Sequence, residues 1–238
     1  MLKNMKQKLL KQNNIGRYVS YAIGEIVLIV IGILVAVSID NWNEERRQKK
    51  VVDGIFAVLI NDIKEDTAEV NQILDFYNKK KGTFLKIAYD TLTKNEIAEC
   101  DLCPTLISSR ELFSINKRGI YQLNEYNNYL LSNQDSLVFD IVNFYNTLTD
   151  DVENFNELIN DDVVGNLVHW RDNYPWFASS LQGRLKKEDW SYFGSQDYRN
   201  RVAFHYVLIY ENYFYFLQTF QKNSKTMLKE LNDRLNDH

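Results

Sequence analysis

The sequence predicts an all-α protein in which one N-terminal transmembrane helix continues into a stalk helix and then a helical extramembrane bundle. Three observations predict this. Only two prolines and nine glycines interrupt 238 residues, so little in the chain stops a helix. Apolar residues recur at three- and four-residue steps over long runs, the period of one helix face. Between Gly24 and Ile39 only Glu25 and Ser38 are polar, and extension of that run back to Tyr18 gives about 22 residues, enough to cross a ~30 Å hydrocarbon core. The chain divides into a basic segment at 1–17, a span at 18–42, a stalk or first bundle helix at 43–81 and a helical extramembrane part at 82–238.

Tyr18 and Tyr21 at one edge of the span and Trp42 at the other form the aromatic belt of a membrane helix, rings settling at headgroup level. At 100° per residue, Ser20, Gly24, Glu25, Leu28, Gly32, Val35, Ala36 and Ile39 share one half of the helix. Ile23, Ile26, Val30, Ile33, Leu34 and Val37 form the bulky half that suits lipid. Ser20-x3-Gly24 and Gly32-x3-Ala36 have the small-xxx-small spacing that lets two helices approach in a bilayer. Glu25, the single acid between Tyr18 and Ile39, is expected to face a helical neighbour, to snorkel to the interface, or to line a proton or ion path. Ala36-Val37-Ser38 has the small-x-small form of a signal-peptide cleavage site, but the length of the run and Glu25 within it favour a retained signal-anchor.

Lys3, Lys6, Lys8, Lys11 and Arg17 precede the span with no acid among them. Arg46, Arg47, Lys49 and Lys50 follow it, mixed with Asp40, Glu44 and Glu45. Counting cations alone, the N-terminus is expected in the cytoplasm and the large C-terminal part in the periplasm of a bacterial inner membrane. The net charge of −4 gives no nucleic-acid footprint, so the expected partners are the lipid bilayer and either further copies of the chain or another membrane protein.

Beyond the span, Val52, Ile55, Leu59, Ile63, Val70, Ile73 and Tyr77 continue a helical stripe that Asp66 interrupts, and Gly82 is expected to end it. A short helix follows at 83–92, a loop at 93–104, and helices at 105–114 and 117–131. Asn133 or Ser136 caps the next helix, whose stripe runs from Leu137 through Ile141, Phe144, Leu148, Val152 and Phe155 to Ile159. Its acids, Asp150, Asp151, Glu153, Glu157, Asp161 and Asp162, lack the spacing of a calcium loop and read as a solvated face. Residues 163–170 prolong or follow that helix, 172–194 are irregular, and a final helix runs from 196 to 235 with an aromatic first half.

Cys100-x-x-Cys103 is the one chemical motif. It fits a local disulfide in an oxidising compartment, or a thiol oxidoreductase, although no βαβ setting surrounds it. A zinc site joining these cysteines to His169 and His205 has no supporting spacing. His205 reads as a hydrogen-bonded core histidine. Trp170, Trp176, Phe177 and Trp190 offer an interaction surface or ligand pocket, or else pack an irregular connection. No catalytic, metal-binding or cofactor-binding motif is present.

Residues 21–47, YAIGEIVLIVIGILVAVSIDNWNEERR, resemble the N-terminal hallmark of an uncharacterised bacterial inner-membrane family known mainly from Bacteroidota and described only as a domain of unknown function. Residues 119–146 and the closing helix from Tyr198 are similar in layout, so the resemblance covers nearly the whole chain. It implies one span and a helical extramembrane domain, and it implies no activity and no functional residues. The expectation is a membrane-anchored scaffold or interaction protein. An oligomeric channel or ion-coupled accessory unit using Glu25, and a periplasmic thiol oxidoreductase using Cys100 and Cys103, are the alternatives.

Overall fold

A computed structural model of the chain describes residues 2–130, 136–180, 182 and 189–236. Among them every regular element is helical. Helix α1 covers Leu2–Ala88, and the chain divides after Gly54 into two compact units.

In the first unit the large apolar side chains from Tyr18 to Trp42 are exposed. Ser20 and Ser38 donate to the carbonyls of Gly16 and Leu34 at 2.9 and 2.8 Å, so neither hydroxyl is stranded on the apolar surface. Past Trp42 the helix becomes polar: Arg46 lies over the Trp42 ring at 5.8 Å, and Arg47 and Gln48 both bond Glu44. Among the described residues, one helix is long and apolar enough to cross a membrane.

In the second unit α1 buries Phe56, Leu59, Ile63, Val70, Ile73, Tyr77, Phe84 and Ile87 along one face. Gly82 does not end the helix as expected. Two apolar residues beyond it, Phe84 and Ile87, are buried, and their burial outweighs the ~1 kcal/mol cost of a helical glycine. The stop is Asp90, at φ 56°. Thr91 N–H bonds the Lys86 carbonyl and Asp90 N–H that of Ile87, the paired bonds of a Schellman turn. The expected helix at 83–92 is thus the last part of α1.

The stretch expected as a loop contains α2 (Lys94–Ala98), opened by a capping box in which Thr93 and Glu96 each satisfy the other's backbone N–H. A 3₁₀ turn covers Cys103–Thr105. The helix expected at 105–114 does not form. A few turns lead into an extended strap, 109–117, before α3 (Arg118–Leu130). α4 spans Ser136–Asn173 without a break, so residues 163–170 prolong it. Asn133 lies outside the described residues. The short α5 (Phe177–Ser180) and a 3₁₀ turn at Asp189–Gly194 occupy the region expected to be irregular.

The closing helix is α6 (Gln196–Tyr206), a π-helical segment (Val207–Tyr213) and α7 (Phe214–Asn236). A π turn closes i→i+5 bonds, here Phe214 N–H to the Ile209 carbonyl. Ile209, Tyr210, Tyr213 and Phe214 are all buried here. Tyr210 then donates to the Tyr77 carbonyl at 2.7 Å, and the Tyr213 hydroxyl accepts from Phe113 N–H at 2.8 Å. α4 and α7 run antiparallel, since Phe144 meets Phe220 while Phe155 meets Phe216.

Candidate functional site

The face expected on the span is uncovered. A methyl group added at Gly24 or at Gly32 would meet nothing within 4 Å, so no contact among the described residues requires either glycine. Ser20, Gly24, Glu25, Leu28, Gly32 and Ala36 are all exposed. Among the described residues Glu25 has no hydrogen-bond or ion-pair partner.

Cys100 and Cys103 are joined in a disulfide, with Cα atoms 5.4 Å apart. Cys103 is fully buried, and its carbonyl accepts from the buried Tyr198 hydroxyl. The pair pins the turn between α2 and the strap onto α6. With both sulfurs bonded to each other, the zinc alternative loses two of its four ligands, and His169 and His205 each pair with a carboxylate instead.

Trp170 and Trp176 are 3 % and 8 % exposed, and their ring centroids lie 5.8 Å apart. They pack with Tyr174, Tyr192 and Phe193 inside the second unit, and Trp190 rests half-buried on Phe193. The surface expected at Trp170 and Trp176 is corrected to core packing: neither ring reaches solvent enough to meet a partner. Phe177 is half-buried beside them.

Around this cluster runs a polar chain that the sequence reading did not assemble. Trp170 Nε1 donates to the Tyr192 hydroxyl at 2.8 Å, which donates to Asp197 at 3.0 Å. His169 Nε2 and Arg201 Nε also reach Asp197, at 3.0 and 3.2 Å. Arg201 continues to Asn166, Asn166 to Asp162, and Asp162 to His205 Nδ1 at 2.6 Å. His205 is fully buried and stacks on Phe84, as expected of a core histidine. The carboxylate accepts, which assigns the imidazole proton to Nδ1 and leaves Nε2 buried without a partner. Asp162 is thus not part of a solvated face. Burial pushes the Tyr192 hydroxyl well above the usual tyrosine range, and Asp197 is held below the carboxylate range: burial raises it, but bonds from Tyr192 and Arg201 outweigh that.

A second polar array binds the strap to α1. Lys80 donates to Ser109 at 2.6 Å. The Tyr77 hydroxyl donates to the Glu111 carbonyl and accepts from its N–H. Glu69 accepts from Ser114 N–H, and Asp66 Oδ1 accepts from both Asn116 N–H and its side-chain amide at 3.0 and 2.7 Å. Asp62 accepts from Gly119 N–H at 2.7 Å and from Arg118 at 2.8 Å, while Arg118 also reaches Glu65. These side chains recur at helical steps along one side of α1 and satisfy backbone groups that the extended strap would otherwise leave unpaired. Asp66 is 1 % exposed. Burial pushes its carboxyl up to about 7, against the two bonds from Asn116, with Glu69 and Asp62 adding to the rise. Burial also raises the Tyr145 hydroxyl, near Asp66 and Asp62, and that hydroxyl has no hydrogen-bond partner. The one trace of this array in the sequence was Asp66 itself, a carboxylate at an apolar position of the stripe.

No curated protein and no solved structure matches the chain. Residues 25–145, a little over half of the chain, match the model of a family of unknown function, DUF6090. The matched stretch begins at the glutamate of the span, takes in the strap with its ties to α1, and stops near the start of α4. It does not reach the closing helix, which the resemblance was expected to include. The chain therefore belongs to the DUF6090 family of unknown function.

Proposed function

We propose that the protein is a membrane-anchored helical scaffold that associates, with itself or with another membrane protein, through the face of α1 bearing Ser20, Gly24, Glu25, Leu28, Gly32 and Ala36. The observation that carries this reading is the open space at Gly24 and Gly32. Glycine costs about 1 kcal/mol in a helix relative to alanine, and no contact among the described residues offsets that cost at either position. A closely packed neighbour in the bilayer would offset it, and the same neighbour would supply a partner for Glu25. Replacement of Gly32 by Leu is expected to reduce the chemically crosslinked oligomer at least fivefold in membranes, whereas Ile33→Ala, on the opposite face, leaves it unchanged. A Gly32→Leu protein that crosslinks like the wild type would sink this interface.

In the same reading, the anchor lies in a bacterial inner membrane with its N-terminus in the cytoplasm and the second unit in the periplasm. The Cys100–Cys103 disulfide supports that orientation, because such bonds persist in oxidising compartments and are rare in the cytoplasm. Cells quenched in acid, denatured and treated with a mass-tagged maleimide should show no added tag before reduction and two after it. Two tags before reduction would place the second unit on the cytoplasmic side.

A further inference from the structure

We propose that the groove between α4 and α7 is a docking site for a cationic amphipathic helix of another protein. The groove has a volume of about 470 Å³ and lies on the second unit, distinct from the membrane face. Its floor is apolar, formed by Phe144, Leu148, Phe216, Phe220 and Met227. The short side chains of Thr147, Thr219 and Thr226 also line it. Both sets of lining residues advance by three or four along their antiparallel helices, so the groove runs parallel to two helix axes and has the form of a missing third helix.

Charge selects the occupant. The three ionisable residues lining the groove are all acids, Asp140, Asp151 and Glu230. The antiparallel packing places Asp140 and Glu230 toward one end and Asp151 toward the other. On α4 the two aspartates are three turns apart, about 16 Å at 1.5 Å per residue. A helix of four turns with cations near each end and apolar residues between them would pair with both ends and cover the floor. Two aromatic residues extend the same rows of side chains. Phe139 stands one turn before Asn143 and Tyr215 one turn before Thr219, and they remain 66 % and 73 % exposed. Exposed aromatic rings are the residues that anchor interfaces and take cations on their faces. An anionic lipid surface is excluded by the same charges, and a second copy would bring its own acidic groove against this one.

The test uses full-length protein in phosphatidylcholine nanodiscs and two labelled 16-residue helical peptides. Both carry the same Leu/Phe stripe, one flanked by Lys and the other by Glu, and empty nanodiscs provide the blank. The Lys peptide is expected to bind saturably, and the Glu peptide at least tenfold more weakly. Combined Asp140→Lys, Asp151→Lys and Glu230→Lys changes, all at exposed positions, should weaken the Lys peptide about tenfold or more. Thr219→Trp, which fills the groove without altering charge, should abolish binding, with thermal melts confirming the fold of both variants. Equal binding of the two peptides, an unaffected charge variant, or no saturable binding at all would overturn the proposal. So would a charge variant whose self-association changes in sedimentation, because the occupant would then be a second copy.

Discussion

Replacement of Gly119 by Ala is expected to destabilise the second unit by about 3 kcal/mol and to lower its melting temperature by roughly 6–12 °C. A Cβ at this position would lie 2.7 Å from Leu59 Cγ and 2.9 Å from the Leu59 backbone nitrogen. A side chain could rotate away, but the α1 backbone cannot. α3 would have to retreat, which would lengthen the 2.7 Å bond from Gly119 N–H to Asp62. Asp62 is fully buried, so the loss of that donor adds to the steric cost. Gly82→Ala is the control: nothing lies near its Cβ, and removing a helical glycine should stabilise by about 0.5–1 kcal/mol. Thermal melts of the two variants should therefore move in opposite directions. A Gly119→Ala protein that melts with the wild type would show that the α1–α3 contact is looser than described.

The second large effect is on pH dependence. Asp66 retains its proton in the folded protein up to about pH 7, whereas in the unfolded chain it loses it near pH 4. Between those values the folded state binds more protons, so stability is fully present at low pH and is lost as pH rises through this window. The amount at stake is of order 4 kcal/mol between pH 4 and pH 8. Asp66→Asn keeps the oxygen that accepts from Asn116 and removes the titration. This variant should be markedly more stable than the wild type at pH 8 and close to it at pH 5, as read from urea unfolding. Glu69, also raised mainly by burial, leaves a slope of the same sign in the variant. Wild-type stability that rises from pH 5 to pH 8 would contradict the assignment.

The helical class, the apolar span and the long closing helix were all legible, because each rests on periodicity sustained over many turns. The strap was not. Thr105 to Ser114 carries enough apolar residues to suggest a helix, but its backbone is paired by side chains from elsewhere: Tyr77, Glu69, Tyr213 and Asn156 reach it from positions 34 to 100 residues away. Local propensity cannot register such partners. The end of α1 was misplaced for a related reason. Gly82 is a strong stop by residue type, yet Phe84 and Ile87 find a core beyond it. The His205 environment was legible only in outline, since its polarity was visible but Asp162, its partner, sat among acids that looked alike. At the span the structure adds that Ser20, Gly24, Glu25, Leu28, Gly32 and Ala36 are exposed among the described residues.

The hydrogen bonds of the second unit also differ in how far apart in sequence their partners lie. Those that join α1 to the strap and to the first turn of α3 link residues 29 to 57 positions apart. The three tyrosine bonds that tie the closing helix to the first half of the chain join residues 95 to 133 apart. Closing a loop costs entropy that grows with its length, by about 0.6 kcal/mol per doubling, so the α1–strap ties are the less costly to close and involve only residues made in the first half of synthesis. The closing helix, with Tyr198, Tyr210 and Tyr213 as its latches, is made last, so it docks onto α1 and the strap after their own ties can have closed. Until it does, Phe84 and the apolar face of α4 are open to solvent, so the interval before docking is when this chain is most exposed to aggregation or capture.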